Sequence, residues 1–155
     1  MYKPGANNGY SALCVLVDTF TGYPWAIPLK TKGAAEVAKA LRRVWLGELW
    51  VPRRAQSDRG AEWGAEVAAL ARDLKVEWRF SQPANSRAQG KVERMNQTIK
   101  RLLDRATRTG GTGRWIDYLD DVLWSIRTNV QATTGYAPCE LQFGGWNPAA
   151  QLLGP

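Results

Sequence analysis

The start of the chain contains two apolar, β-rich runs, and a helical period of apolar residues follows soon afterwards. Residues 11–18 and 23–29 are two β-rich runs joined by a short polar segment that ends in Gly22. This pattern is typical of a β-hairpin. From 34 to 50, apolar residues recur every three or four positions, which predicts an amphipathic helix that ends before Pro52.

Strand-like and helix-like segments alternate along the middle of the chain. The predicted elements are a strand over 53–57, a helix over 61–74, a strand over 76–80, a polar loop over 81–90, a long helix opened by Gly90, a break at 109–113, a helix over 115–130 and a short helix over 137–143. Strands that alternate with helices and are followed by helices alone predict an α/β fold, in which a mixed sheet is flanked by helices. Four tryptophans lie on apolar stripes and are expected in the core or at an interface, not as platforms for base stacking: Trp25, Trp45, Trp63 and Trp124.

Length and composition narrow the class of protein. At 155 residues, the chain can bury one real core, so residues 1–155 are predicted to form a single domain. The chain has no histidine, which excludes a histidine-dependent triad and a His/Cys zinc module. Cys14 and Cys139 lack CxxC spacing and are expected to be buried free thiols. The chain shows neither a membrane-spanning run nor a signal peptide pattern, so no membrane partner and an intracellular setting are expected.

Charge points to a polyanionic partner. The net charge is +7 and the pI is about 9.7. The segment from Arg87 to Arg108 holds seven basic and two acidic residues and therefore carries +5 of this excess. A basic helix can be merely a solvated outer face. This helix also carries Glu93, a candidate catalytic residue, which favours contact with phosphates.

Two acidic segments contain the candidate catalytic and metal-binding residues. Asp58, in Gln-Ser-Asp-Arg-Gly, follows a predicted strand, and Glu93, in Gly-Lys-Val-Glu-Arg-Met-Asn, lies at the start of a predicted helix. Taken alone, an Asp before a Gly-containing turn or a Glu on a helix is more often a turn former or a solvated side chain. Together they can direct oxygens at one divalent cation, and oxygens are the ligands that Mg²⁺ prefers.

The motifs resemble those of retroviral and retrotransposon integrase cores, in particular the gammaretroviral and foamy-virus branch. Four elements occur in the family's order: Val-Asp-Thr-Phe-Thr-Gly at 17–22, Ser-Asp-Arg-Gly at 57–60, Gly-Lys-Val-Glu-Arg-Met-Asn at 90–96, and Arg-Thr-Asn at 127–129 followed by Thr-Gly-Tyr-Ala-Pro-Cys-Glu-Leu-Gln-Phe-Gly at 134–144. The resemblance covers most of the chain.

The resemblance implies a ribonuclease H-like fold and a metal-dependent polynucleotidyl transferase that processes DNA 3′ ends and joins them to target DNA. Asp58 and Glu93 are then the last two acids of an Asp-Asp-Glu site, and both bind metal. Two Mg²⁺ (or Mn²⁺) ions are expected as cofactors, DNA and a second copy of the chain (a homodimer) as partners, and the nucleus as the place of action if the element is host-encoded or virion-derived. The residues expected to contact nucleic acid are Ser86, Arg87, Gln89, Lys91, Arg94, Gln97 and Lys100.

The family's first acid has no match in the chain. The Tyr-Lys-Pro-Gly run at 2–5 resembles the loop after that acid, so we expect the opening strand to lie upstream of Met1. The zinc-binding and barrel domains that flank the core in full-length integrases are also not expected within 1–155. Asp18 is the alternative first acid, but its place before Thr-Phe-Thr-Gly favours a turn role. A catalytically impaired relic that binds DNA or dimerises, and a nuclease of the same fold, remain alternative functions.

Overall fold

The computed structural model describes residues 7–48, 50–81 and 86–149. The chain divides into two compact units. One comprises Met1–Cys14 and Ile27–Gly90, and the other comprises Val15–Ala26 and Lys91–Pro155. Strands β1 (Ala12–Val17) and β2 (Pro24–Leu29) form the predicted hairpin, and each unit contains part of it.

The first unit contains the strand that precedes Asp58. Helix α1 (Ala34–Arg43) leads through a π-helical turn at Val44–Glu48 to strand β3 (Arg54–Ser57). A 3₁₀ turn at Ala61–Trp63 and helix α2 (Ala65–Asp73) follow, and the unit's last strand is β4 (Glu77–Phe80). The helix predicted over 34–50 is therefore helical as far as Glu48, but it changes from α to π at Val44. The wider π turn still buries Val44 and Trp45.

Strands β3 and β4 run parallel, with Arg54 opposite Glu77 and Ser57 opposite Phe80. A parallel pair needs a crossover connection, which α2 supplies here. The backbone N–H of Ser81 donates to the Ser57 carbonyl oxygen at 2.7 Å and extends the ladder by one step. The carboxyl end of β3, where Asp58 follows, is thus held on one side by hydrogen bonds to β4.

The second unit is mainly helical. Helix α3 (Ser86–Thr109), which belongs to this unit from Lys91 onward, ends at the predicted glycine-rich break. A 3₁₀ turn at Trp115–Tyr118 then leads into α4 (Leu119–Thr128), and α5 (Pro138–Phe143) follows. Its core contains Ile99 and Leu103 from α3 and Trp115 from the 3₁₀ turn, all at most 1% exposed. Trp124 is 44% exposed and so does not belong to this core. Its alternative place, at an interface, stays a prediction.

The predicted loop over 81–90 is wrong in its second half, because α3 already begins at Ser86. The polar composition suggested a loop, yet the Arg, Ala and Gln residues at 87–89 are all good helix formers. A Cβ added at Gly90 would meet nothing within 4 Å, so the helix passes through this glycine without needing it for packing. Residues 82–85 of the predicted loop lie outside the described residues.

The strand pairings combine a hairpin with a parallel pair, and helices accompany both. In the described parts of the chain, they form two two-stranded sheets. The predicted α/β class with mixed strand directions is confirmed. No helix within these parts is both long enough and apolar enough to cross a membrane.

Candidate functional site

Asp58 stands directly after β3 and is exposed. Its Oδ1 accepts a hydrogen bond from the Gly60 backbone N–H at 3.1 Å and another from the Trp63 indole Nε1–H at 2.7 Å. The first bond closes a local turn of the kind that an Asp before a Gly commonly makes. The second comes from the 3₁₀ turn that follows β3. These two donors hold one carboxylate oxygen and thereby orient the group.

The other oxygen of Asp58 has a different environment, because no described residue donates to Oδ2. A carboxylate with one oxygen bound to N–H donors and the other open is suited to bind a hard cation such as Mg²⁺. Hydrogen bonds to a ligating group from outside the metal's own shell commonly fix its direction. The donor chemistry at Asp58 therefore fits the expected metal.

The role of Trp63 was not evident from the sequence pattern, in which this residue belongs to the apolar stripe of a predicted helix. The structure places it at the end of the 3₁₀ turn, half-buried, with its ring 5.5 Å from that of Trp78 between centroids. A buried indole N–H usually finds an acceptor. The signal available in the sequence was a Trp five residues after an Asp, with Gly60 between them to turn the chain.

Glu93 lies near the beginning of α3 and its side chain is exposed. It makes no ion pair and accepts no hydrogen bond among the described residues. Its carboxylate is thus available to a cation or to solvent. Asp58 belongs to the first unit and Glu93 to the second, and each unit is described by itself. The predicted approach of the two carboxylates stays a prediction.

Four of the residues expected to contact DNA are exposed along α3: Gln89, Arg94, Gln97 and Lys100. Their contact with DNA stays a prediction. Arg94 and Lys100 form no ion pair within the described residues, so their charges are not neutralised by a neighbouring carboxylate. The backbones of Ser86 and Arg87 belong to α3, while their side chains lie outside the described part.

Lys91 is exposed and also has a structural partner. Its Nζ donates to the backbone carbonyl oxygen of Thr19, in the hairpin turn, at 2.5 Å. An ammonium group has three N–H donors, so this bond leaves two that can reach a phosphate. Lys91 therefore ties α3 to the hairpin turn within the second unit.

Asp18 has the turn role that the sequence favoured. Its Oδ1 accepts from the backbone N–H groups of Phe20 at 2.9 Å and Thr21 at 2.7 Å, and from the Thr21 hydroxyl at 2.9 Å. These bonds occupy one oxygen with donors from its own turn, as expected for a turn-forming Asp. Across the described ranges, no group of three or more acidic or cysteine side chains is arranged to hold a metal ion.

Cys14 is buried and free, as predicted. Burial first, and then the negative charge of Glu62, raise the pKa of the Cys14 thiol to about 12. Since the thiolate is the reactive form of cysteine, this thiol is unsuited to act as a nucleophile. Cys139 is also buried and free.

Comparison with known proteins gives a consistent assignment. A family profile described as "Integrase core domain" matches residues 2–86. The chain is 34% identical to the Pro-Pol polyprotein of Simian foamy virus type 3 (strain LK3) over 89% of its length, and 35% identical to the Gag-Pol polyprotein of Gibbon ape leukemia virus over 99%. It spans 12% and 9% of those polyproteins, respectively.

Solved structures agree on the fold. The chain resembles a chain of the simian T-cell lymphotropic virus intasome with a TM-score of 0.77 and 26% identity, covering 84% of this chain and 48% of that one. It resembles the HTLV-2 integrase catalytic core domain, solved in complex with magnesium, with a TM-score of 0.69 and 23% identity, covering 83% and 82%. The ribonuclease H-like fold expected from the sequence is thereby confirmed.

Proposed function

Because this chain belongs to the integrase core domain family, we propose that it is the DNA-binding core of a metal-dependent polynucleotidyl transferase. The proposed reaction is the processing of DNA 3′ ends and their transfer to a target strand. The proposal rests on the hydrogen bonding of the Asp58 carboxylate at the end of β3. Trp63 and Gly60 donate to Oδ1, whereas no described residue donates to Oδ2.

Asp58 and Glu93 are the proposed ligands of the cation. Both are exposed carboxylates, and their oxygens match the preference of Mg²⁺ or Mn²⁺. When bound, a pair of such ions stabilises the attacking and leaving oxygens of an in-line displacement at phosphorus. The role of Asp58 is to present Oδ2 in a fixed direction, and the role of Glu93 is to supply a second anionic ligand. The proposed site needs no covalent enzyme intermediate.

Helix α3 is the proposed DNA contact. Arg94 and Lys100 offer exposed charges, Lys91 retains two donors, and Gln89 and Gln97 add neutral hydrogen-bonding groups. Contacts between such side chains and phosphates position DNA without reading its sequence. The basic excess of residues 87–108 supports this assignment. Ser86 and Arg87 extend the same helix toward its start.

We also propose that the chain acts as a homodimer and, on chromosomal DNA, in the nucleus.

Incubation of the intact chain with branched and nicked DNA ends, in Mg²⁺ and in Mn²⁺, tests the proposal. Metal-dependent joining or cleavage should disappear in Asp58→Asn and in Glu93→Gln. The matched control is Asp73→Asn, an exposed carboxylate at the end of α2, which should retain activity. Activity that survives both site substitutions would contradict the assignment of the ligands.

The same assay separates the alternative functions. DNA binding without any metal-dependent product would indicate a non-catalytic module, and hydrolysis without strand joining would indicate a nuclease. A gel that resolves joined from shortened strands distinguishes these outcomes.

A further inference from the structure

A cavity of about 260 Å³ lies in the first unit beside the tryptophan that holds Asp58. Its aromatic walls are Trp63, Trp78 and Phe80, and its lining also includes Ala71 and Val76, which are buried. Neither Trp63 nor Trp78 is fully buried, and Phe80 is 49% exposed, so a solute can reach these rings. This volume is slightly below the usual range for drug-sized ligands, about 300–1,000 Å³, and suits a molecule of one or two fused rings.

One charged side chain lines this otherwise apolar space. Arg72, on α2, is exposed and makes no ion pair with a described residue. A guanidinium group binds carboxylates in a fork geometry and also stacks on aromatic faces. Tilted aromatic walls with a cation beside them are complementary to a flat ring that bears a negative charge. A neutral ring would leave the N–H donors of the guanidinium without an anionic acceptor, and a flexible aliphatic acid would leave the ring faces unused.

We propose that this cavity binds a small planar aromatic anion, and that its occupancy is coupled to the cation affinity of Asp58. The coupling follows from the double role of Trp63, whose ring lines the cavity and whose Nε1–H donates to Asp58 Oδ1 at 2.7 Å. A ligand stacked on this ring restricts the motion of the indole, and with it the direction of the Asp58 carboxylate. The bound anion therefore strengthens cation binding, and by reciprocity the cation strengthens anion binding.

The binding part of the proposal is tested without metal. Indole-3-carboxylate is the probe and indole-3-carboxamide its neutral analogue, titrated into the intact chain by calorimetry and by ligand-observed NMR. We expect the carboxylate to bind about tenfold more tightly than the carboxamide, because a charge-assisted hydrogen bond is roughly twice as strong as a neutral one. Arg72→Gln should remove this difference. Equal affinity of the two probes for the natural chain would overturn the assignment of an anion.

Filling the cavity gives a second, independent readout. Ala68 lines the cavity and is exposed, so Ala68→Leu adds volume there with little risk to the core. Ala65→Leu is the matched control, since Ala65 is an exposed alanine of the same helix that is not among the lining residues. Binding should be lost in Ala68→Leu and kept in Ala65→Leu. Binding kept in both would place the probe elsewhere and overturn the site.

The coupling rests on the proposed metal-binding role of Asp58 and is measured separately. Mn²⁺ titration followed by electron paramagnetic resonance should show about fivefold tighter binding with saturating probe, the low end for coupled sites. Trp63→Phe should keep probe binding and abolish this gain. Unchanged Mn²⁺ affinity in the natural chain would overturn the coupling. If Mn²⁺ does not bind at all, the proposed function fails, whereas the metal-free titrations still decide the cavity.

A single-stranded trinucleotide, added as a competitor, identifies the source of the aromatic anion. Displacement of the probe indicates an unpaired nucleotide of the DNA. Displacement by free aromatic acids alone indicates a small-molecule ligand.

Discussion

Trp63 and Asp58 are joined by a hydrogen bond of 2.7 Å from the indole Nε1–H to the carboxylate Oδ1. Through this bond a half-buried aromatic side chain orients an exposed carboxylate at the end of β3. Trp63 is in turn packed against Trp78, whose own Nε1–H donates to the Ser57 hydroxyl oxygen at 3.2 Å. Two neighbouring tryptophans thus hold two consecutive residues, Ser57 and Asp58.

Replacing Trp63 with Phe should weaken divalent cation binding while keeping the ring in place. The substitution removes the N–H donor to Asp58, and loss of a group that orients a metal ligand typically costs about 10- to 100-fold in affinity. Mn²⁺ titration of the intact chain measures the effect. Trp78→Phe is the control, because it removes an equivalent N–H from Ser57 instead. Equal losses in both variants would mean that general packing, and not the Asp58 bond, is responsible.

Asp18 should contribute to stability and not to metal binding. Asp18→Ala removes the acceptor of three hydrogen bonds in the hairpin turn, which we expect to lower the free energy of unfolding by about 1–2 kcal/mol. Urea denaturation measures this change. Asp18→Asn, which retains an oxygen acceptor, should lose less. Mn²⁺ affinity should stay unchanged in both variants, and a loss of metal binding in Asp18→Asn would identify Asp18 as the missing first acid.

Lys100 should contribute to DNA affinity through its charge. Lys100→Gln removes one exposed positive charge from α3, so the slope of log affinity against log salt should fall by about 0.9 for duplex DNA. Fluorescence anisotropy at several salt concentrations gives the slope. Lys39→Gln, an equal change of charge on α1, is the control and should leave the slope nearly constant. An unchanged affinity and slope in Lys100→Gln would remove this residue from the interface.

Glu36 should make stability depend on pH in the acidic range. Its carboxylate accepts from the Thr31 hydroxyl and from the backbone N–H groups of Lys30 and Thr31, each at 2.7 Å. The Thr31 hydroxyl bond, followed by these backbone bonds and the charge of Lys30, lowers the pKa of Glu36 below its ordinary value of 4.5. A lowered folded-state pKa means that the stabilisation is present above the ordinary value and is lost as pH falls through the folded value.

The measurement is urea denaturation of the natural chain and of Glu36→Gln between neutral pH and about pH 3, a range that spans the ordinary pKa of a glutamate. The natural chain should be more stable at neutral pH, and the difference should shrink as the solution is acidified below 4.5. Glu66→Gln is the control, since Glu66 is exposed and accepts no hydrogen bond from a described residue. A difference that is constant over the whole range would contradict the assigned bonds.

The local sequence pattern was sufficient to predict most helices and strands and the acidic character of the candidate site. The β-rich runs at 11–18 and 23–29, joined by a short polar segment that ends in Gly22, were enough to predict a hairpin. The acid-bearing motifs around Asp58 and Glu93 identified the family, and an Asp in a short turn has few partners other than the nearby N–H groups, which is why the role of Asp18 could be predicted. These features depend on residues close together in sequence.

Folding in three dimensions decided the features that depend on distant or competing contacts. Periodicity does not distinguish an α-helix from the π turn at Val44–Glu48, nor a polar loop from the first turns of α3. The contact of the Lys91 ammonium with Thr19 joins residues 72 positions apart, so no local pattern encodes it. The same holds for the aromatic cavity, whose walls come from a 3₁₀ turn, a helix and a strand. An apolar stripe shows only that Trp63 packs against other side chains. The acceptor of its indole N–H is determined by the turn at Gly60, which brings Asp58 Oδ1 to 2.7 Å from Trp63 Nε1.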